Sequence, residues 1–189
     1  MVILIVKEAF SVKDTRLELK KLTLAAVLMA MNIIMSTSVL SIPVPGGHMY
    51  LNDVIICTAA ILLDPLYAFI VGGVGAFIGD MLFYPAPMFV SLVTHGLQAI
   101  VISLFVHKFF KEKRVTGSII GAIVGLVITV AGYTLGRAYI YSTPEYAVLK
   151  FPFQVMQTLV GETLALLLCW KAGIVKLYEK QLGKPQKAV

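Results

Sequence analysis

Charge is the first thing this chain is short of. Asp, Glu, Lys and Arg make up 14 % of its 189 residues, against roughly 25 % in soluble domains. A soluble globule cannot cover its surface with so few charges, so a cytosolic enzyme domain and a disordered chain are both excluded. Cysteine is scarce too. Cys57 and Cys169 lie in apolar stretches with no CxxC, and read as buried small hydrophobes, neither a disulfide nor a metal site. Catalytic patterns are missing: there is no GxxxxGK[ST] loop, no HExxH and no serine elbow. The chain is therefore expected to be no enzyme, to hold no cofactor or metal, and to hydrolyse no ATP itself. No leader is expected either, because the opening six apolar residues are too few for a signal peptide and basic residues follow them instead of preceding them. No pair of similar halves suggests the inverted repeat of a secondary carrier.

What is abundant is hydrophobicity, at 59 % of residues with mean hydropathy +0.90. Six apolar stretches run through residues 22–40, 51–63, 65–79, 88–106, 115–136 and 151–170. A membrane-spanning helix needs about 20 residues to cross about 30 Å of hydrocarbon. The first, fourth, fifth and sixth stretches meet that length. The second and third are short and are joined by Asp64-Pro65, which reads as a tight turn with Asp64 as N-cap and Pro65 opening the next helix. Ser11 with Asp14 three positions on resembles a helix start in capping-box style.

Fourteen of the sixteen basic residues fall in three groups: before the first stretch, between the fourth and fifth, and after the sixth. With six spans all three groups share one side, and cytoplasmic loops collect Lys and Arg. The expected fold is an all-α integral membrane protein, six transmembrane helices, both termini cytoplasmic. It forms one domain over residues 1–189, with a cytoplasmic amphipathic N-terminus at 1–21, an extracellular lid loop at 41–53 and a cytoplasmic basic tail at 173–189. Although the net charge is +6, no nucleic-acid partner is expected, since the basic residues sit outside the apolar stretches; the lipid bilayer is the first partner.

Small residues recur at spacing four, in Gly75xxxGly79 and in the series Gly117, Gly121, Gly125 and then Gly132, Gly136. Such spacing lets membrane helices approach closely and reads as scaffold. Ala26xxxAla30 on the first stretch serves either internal packing or a partner's helix.

Polar side chains within the apolar stretches mark the candidate site, because buried polar groups in a bilayer are expensive and face the protein interior or a cavity. The 41–53 loop is rich in Pro and Gly and nearly uncharged, yet presents His48, Tyr50, Asn52 and Asp53. Ser91, His95 and Gln98 stand at i, i+4 and i+7, one helical face. Gln154 and Gln157 share a face with Gly161, and Glu162 lies deeper. Tyr133 and Arg137 stand one turn apart; Arg137 either pairs with Glu145 or faces a polar ligand. Tyr139 and Tyr141 fit an interfacial aromatic belt. Asp80, beside Tyr84, reads as an acceptor that fixes a loop. Several polar faces converging at one depth favour a cavity.

These residues resemble the substrate-binding S components of energy-coupling-factor (ECF) vitamin transporters. The resemblance is carried by six spans, cytoplasmic termini, Ala26xxxAla30 and the long outer loop. The run from Pro45-Gly46-Gly47-His48 through Tyr50-Leu51-Asn52-Asp53, Ala59-Ala60, Leu63, Pro65, Gly72-Gly73, Gly75, Asp80 and Tyr84-Pro85 is similar to the S components associated with pyridoxine or hydroxymethylpyrimidine. It implies a chain that captures its vitamin outside with high affinity, between the outer loop and the outer halves of the last three helices. It implies docking through Ala26 and Ala30 on a transmembrane T subunit driven by two cytoplasmic ATPases, the S component toppling in the membrane to carry its ligand inward. An uncharged heteroaromatic vitamin suits the residue set, with Tyr and His rings to stack on it and Gln, Asn and Asp to bond it. Riboflavin fits the same description in a larger cavity. The other classes the sequence allows are a stand-alone secondary carrier and a ligand-free membrane scaffold.

Overall fold

The computed structural model describes residues 2–37, 40–45 and 47–182, with side chains from Thr15 to Gln181 in those ranges. Seven helices account for most of the chain: α1 Val2–Met35, α2 Asn52–Leu62, α3 Pro65–Phe83, α4 Met88–Phe109, α5 Arg114–Tyr141, α6 Pro144–Lys171 and α7 Ile174–Leu182. Helices α3, α4, α5 and α6 are each long and apolar enough to cross a membrane. The remaining element is a β-hairpin between α1 and α2, pairing β1 (Ile42–Val44) with β2 (Gly47–Met49) antiparallel and placing Ile42 opposite Met49.

Helix α2 explains its own shortness. Ten of its eleven residues are buried, all round the helix, the signature of one enclosed by others. Ile56, Cys57, Ala59, Ala60 and Ile61 have no exposed surface, and the main apolar core forms around them with residues of α1, α3, α4 and α6. Cys57 and Cys169 are free and buried. At the end of α2 the chain reverses at Asp64, and Pro65 takes the first helical position of α3. Asp64 occupies the N-cap position, but its side chain caps nothing. It accepts instead from Lys21 Nζ at 3.1 Å, an ion pair that ties α1 to this turn.

Three sequence expectations are corrected. The third apolar stretch is not short: α3 continues through Asp80 to Phe83, 19 residues in all, because the Asp80 carboxylate is satisfied inside the bundle by the Ser91 hydroxyl. Helix α1 ends at Met35, earlier than the apolar stretch suggests, and runs unbroken from Val2. Ser11 is thus interior to α1 rather than at its start, and the side chains of the Ser11–Asp14 box lie outside the described ones. The 41–53 loop is largely structured, as the hairpin and the first residues of α2. Of the 173–189 tail, the part through Leu182 is helical, and residues 183–189 lie outside the described residues.

The glycine series do scaffold work. A methyl group at Gly79 would lie 2.8 Å from Ser36 Cβ on the segment after α1, and one at Gly121 3.1 Å from Ile102 Cα of α4. Most important for the site are Gly72 and Gly73, in a wide π-type turn of α3 at Ile70–Val74. Side chains there would run into Ala99 Cβ and Gly96 Cα of α4, each at 2.9 Å. Their absence brings α3 against α4 beside His95.

Candidate functional site

At the hairpin end of the bundle the helices enclose a cavity of about 370 Å³, within the size range of small-molecule sites. Its wall takes His48 from β2, Tyr50 and Asn52 from the entry to α2, and Tyr84 from just beyond α3. His95 contributes from α4, Tyr133 and Arg137 from α5, and Gln154 and Gln157 from α6. Residues more than a hundred positions apart meet here because α2 and α6 pack closely. Gly161 makes that possible: a Cβ on it would sit 2.5 Å from Asp53 Cβ.

The other three residues singled out, Asp53, Ser91 and Gln98, do not border the cavity; they lie beneath it and hold those that do. Gln98 sits at the centre. Its Nε2 donates to Asp53 Oδ1 at 3.1 Å and to Glu162 Oε1 at 3.0 Å, while its Oε1 meets His95 Nδ1 at 2.8 Å. An acceptor there makes Nδ1 the protonated nitrogen of His95 and leaves Nε2 as the other polar atom of the ring. Ser91 donates to Asp80 and lies 2.6 Å from the Tyr133 hydroxyl, and the His95 and Tyr133 rings meet edge to face at 5.3 Å. Asp53, Gln98 and Ser91 are fully buried, so this layer is a closed polar network rather than a solvated floor. In low dielectric such a network fixes side-chain orientation, since every unmet partner is costly.

The hairpin is fastened over the cavity by α6. Lys150 Nζ donates to the His48 carbonyl at 2.9 Å, and Gln157 Oε1 accepts from the Tyr50 amide at 3.0 Å. Gln157 Nε2 reaches Asp53 Oδ2 at 3.4 Å, linking the hairpin to the network below. Gly47 turns the hairpin with φ +122°, a conformation suited to glycine. His48 Nδ1 lies 2.8 Å from Ser41 Oγ.

Arg137 does not pair with Glu145. Its Nη2 donates to Gln154 Oε1 at 2.7 Å and its guanidinium lies over the Tyr133 ring at 5.2 Å, while Glu145 is exposed in the first turn of α6. Tyr139 is 79 % exposed, as an interfacial residue would be, but Tyr141 turns inward to the cavity wall. Tyr146 and Lys150 also line it and were missed. The signal was present: Tyr146, Lys150, Gln154 and Gln157 follow one another at spacings of four, four and three, one face of α6. Asp80, taken as a loop-fixing acceptor, belongs to the wall as well. Among the described residues no three His, Cys, Asp or Glu side chains are grouped to hold a metal ion.

Several apolar membrane-length helices around an enclosed polar cavity define a multi-pass membrane protein with room for a small polar molecule. Comparison with known proteins narrows the class. The model of the family described as ECF-type riboflavin transporter, S component, matches residues 16–174, and the chain belongs to that family of transporter subunits. It is 29 % identical over 153 residues to an uncharacterised protein of Pyrococcus woesei, covering 80 % of this chain and 97 % of that one. It is also 29 % identical over 151 residues to the thiamine precursor transporter HmpT of Lactococcus lactis subsp. cremoris, covering 78 % of this chain and 84 % of the relative.

Proposed function

We propose that this chain is the vitamin-capturing subunit of an ATP-driven ECF importer, and that the cavity beneath the hairpin is its ligand site. The observation that carries the reading is that polar side chains from the 41–53 loop and from the membrane helices border one cavity of about 370 Å³. Helices α1 to α6 are then six spans. The end bearing Lys20, Lys21, Lys108, Lys171 and Lys176 is cytoplasmic, in keeping with the distribution of basic residues, and the hairpin is the extracellular lid. Capture needs no catalytic residue from this chain; ATP is consumed by two partner ATPases acting through a T subunit.

Ala26 and Ala30 are the docking positions for that subunit. Both are exposed, on the side of α1 away from buried Ala25 and Leu28, which supports a contact outside this chain over internal packing. Small residues at spacing four admit a second helix closely.

For the substrate, pyridoxine or hydroxymethylpyrimidine is favoured, and the name of the Lactococcus relative supports a thiamine precursor. Riboflavin is the second reading, favoured by the description of the matching family. Purification from cells followed by mass spectrometry of any small molecule carried along tests the reading. A pyridoxine-, pyrimidine- or flavin-type compound at near-stoichiometric amounts is expected. A preparation without ligand that also shows no thermal shift with any B vitamin favours a scaffold, and uptake into vesicles by this chain alone favours a self-contained carrier.

A further inference from the structure

Two cations of the cavity wall have no anion. Arg137 is 9 % exposed and Lys150 6 % exposed, yet among the described residues no carboxylate lies within salt-bridge distance of either. Arg137 spends one nitrogen on the neutral Gln154, and its Nη1 is buried with no partner. Among the described residues Lys150 makes a single bond, to the backbone carbonyl of His48. The cavity's own carboxylate, Asp80, is engaged by Ser91. Elsewhere the chain treats half-buried cations differently: Arg114 meets Glu179 at 2.7 Å, and Lys21 meets Glu18 and Asp64 at 3.1 Å each.

An uncompensated charge buried within a protein is expensive, and the Tyr133 ring under Arg137 offsets only part of it. Two such charges on adjacent helices, both facing one cavity, imply that the occupant brings the counter-charge. We infer that the ligand of this site is a heteroaromatic compound carrying one anionic group, a carboxylate or a phosphate monoester, seated on Arg137 and Lys150. The inference rests on the cavity being the vitamin site, and alters the expectation of an uncharged ligand made from the sequence, where Lys150 was not in the set. A guanidinium matches the paired oxygens of either anion through two parallel N–H···O bonds. His95 borders the same cavity and is left for the ring.

The test is calorimetric titration of the purified full chain in lipid nanodiscs with matched pairs: pyridoxine and its 5′-phosphate, hydroxymethylpyrimidine and its monophosphate, riboflavin and its 5′-phosphate, nicotinamide and nicotinate. The expected result is that in at least one pair the anionic member binds about tenfold tighter or more, as a charge-assisted contact requires. The phosphate pairs and the nicotinate pair separate the two anions. Arg137→Gln is expected to remove most of that preference, while its unliganded melting temperature stays at or above the parent's because a buried unpaired cation is gone. Neutral members binding as tightly as their partners overturns the inference and leaves the vitamin site standing. Retained preference in Arg137→Gln, or a steep fall in its unliganded melting temperature, overturns it as well. Binding of none of the eight compounds removes both the inference and the reading of the cavity.

Discussion

His95 shows how the polar network fixes a single side chain at the cavity wall. Its Nδ1 is spoken for by Gln98, its ring edge rests on Tyr133, and it is 1 % exposed, so its remaining nitrogen is fixed in direction before anything binds. Replacing it by Leu is expected to weaken ligand binding by about 1–3 kcal/mol through loss of a buried polar contact; unchanged affinity in titration moves the site elsewhere. Gln98 is different in kind. It borders no cavity but joins His95, Asp53 and Glu162, so Gln98→Leu is expected to weaken binding and also to lower the melting temperature in detergent, since three buried polar groups lose a partner. The spacing of Ser91, His95 and Gln98 put all three on one face of α4. It could not say that the middle residue reaches the cavity while the other two reach inward, because that depends on where α2, α3 and α5 lie. Lys150 was overlooked for a related reason. A lone lysine near a helix end reads as a topology marker, and only its register with Gln154 and Gln157 reveals the wall.

At the scale of elements, the contact between α2 and α6 holds the site together. Gly161→Val is expected to cost about 1–3 kcal/mol of stability by overpacking against Asp53, seen as a lowered melting temperature, and to weaken binding because Asp53 positions both Gln98 and Gln157. A variant that melts and binds like the parent contradicts the close approach of these helices. Replacing Ala26 and Ala30 by Leu or Trp is expected to abolish uptake by the assembled transporter while sparing ligand binding; equal loss of binding makes the pair internal packing. The turn at Asp64-Pro65 was legible from two residues, since proline at a helix start is a local signal. The length of α3 was not, because one aspartate ended the apolar count and its partner Ser91 lies on another helix. The hairpin was hidden similarly: Pro43, Pro45 and Gly47 announce a turn, but pairing Ile42 with Met49 is a two-strand property no single residue displays.

For the whole molecule, apolar residues face outward as freely as inward. Leu66, Phe89, Ile123 and Val148 are all more than 60 % exposed, as expected where lipid is the solvent. The polar side chains that border the cavity gather at the hairpin end, and most basic residues at the other. The clustering of basic residues was readable from the sequence, since it does not depend on packing. What composition could not supply is volume: whether the buried polar groups bond only to one another or leave space between them. The most direct measurement of that point is titration of the purified chain with pyridoxine, hydroxymethylpyrimidine, riboflavin, nicotinamide and the anionic partner of each, repeated on a variant whose cavity is filled by Gln154→Trp. The account predicts tight binding of one of these compounds by the parent and its loss in the filled variant with the fold retained. Binding that survives the filling, or no binding by the parent, contradicts it.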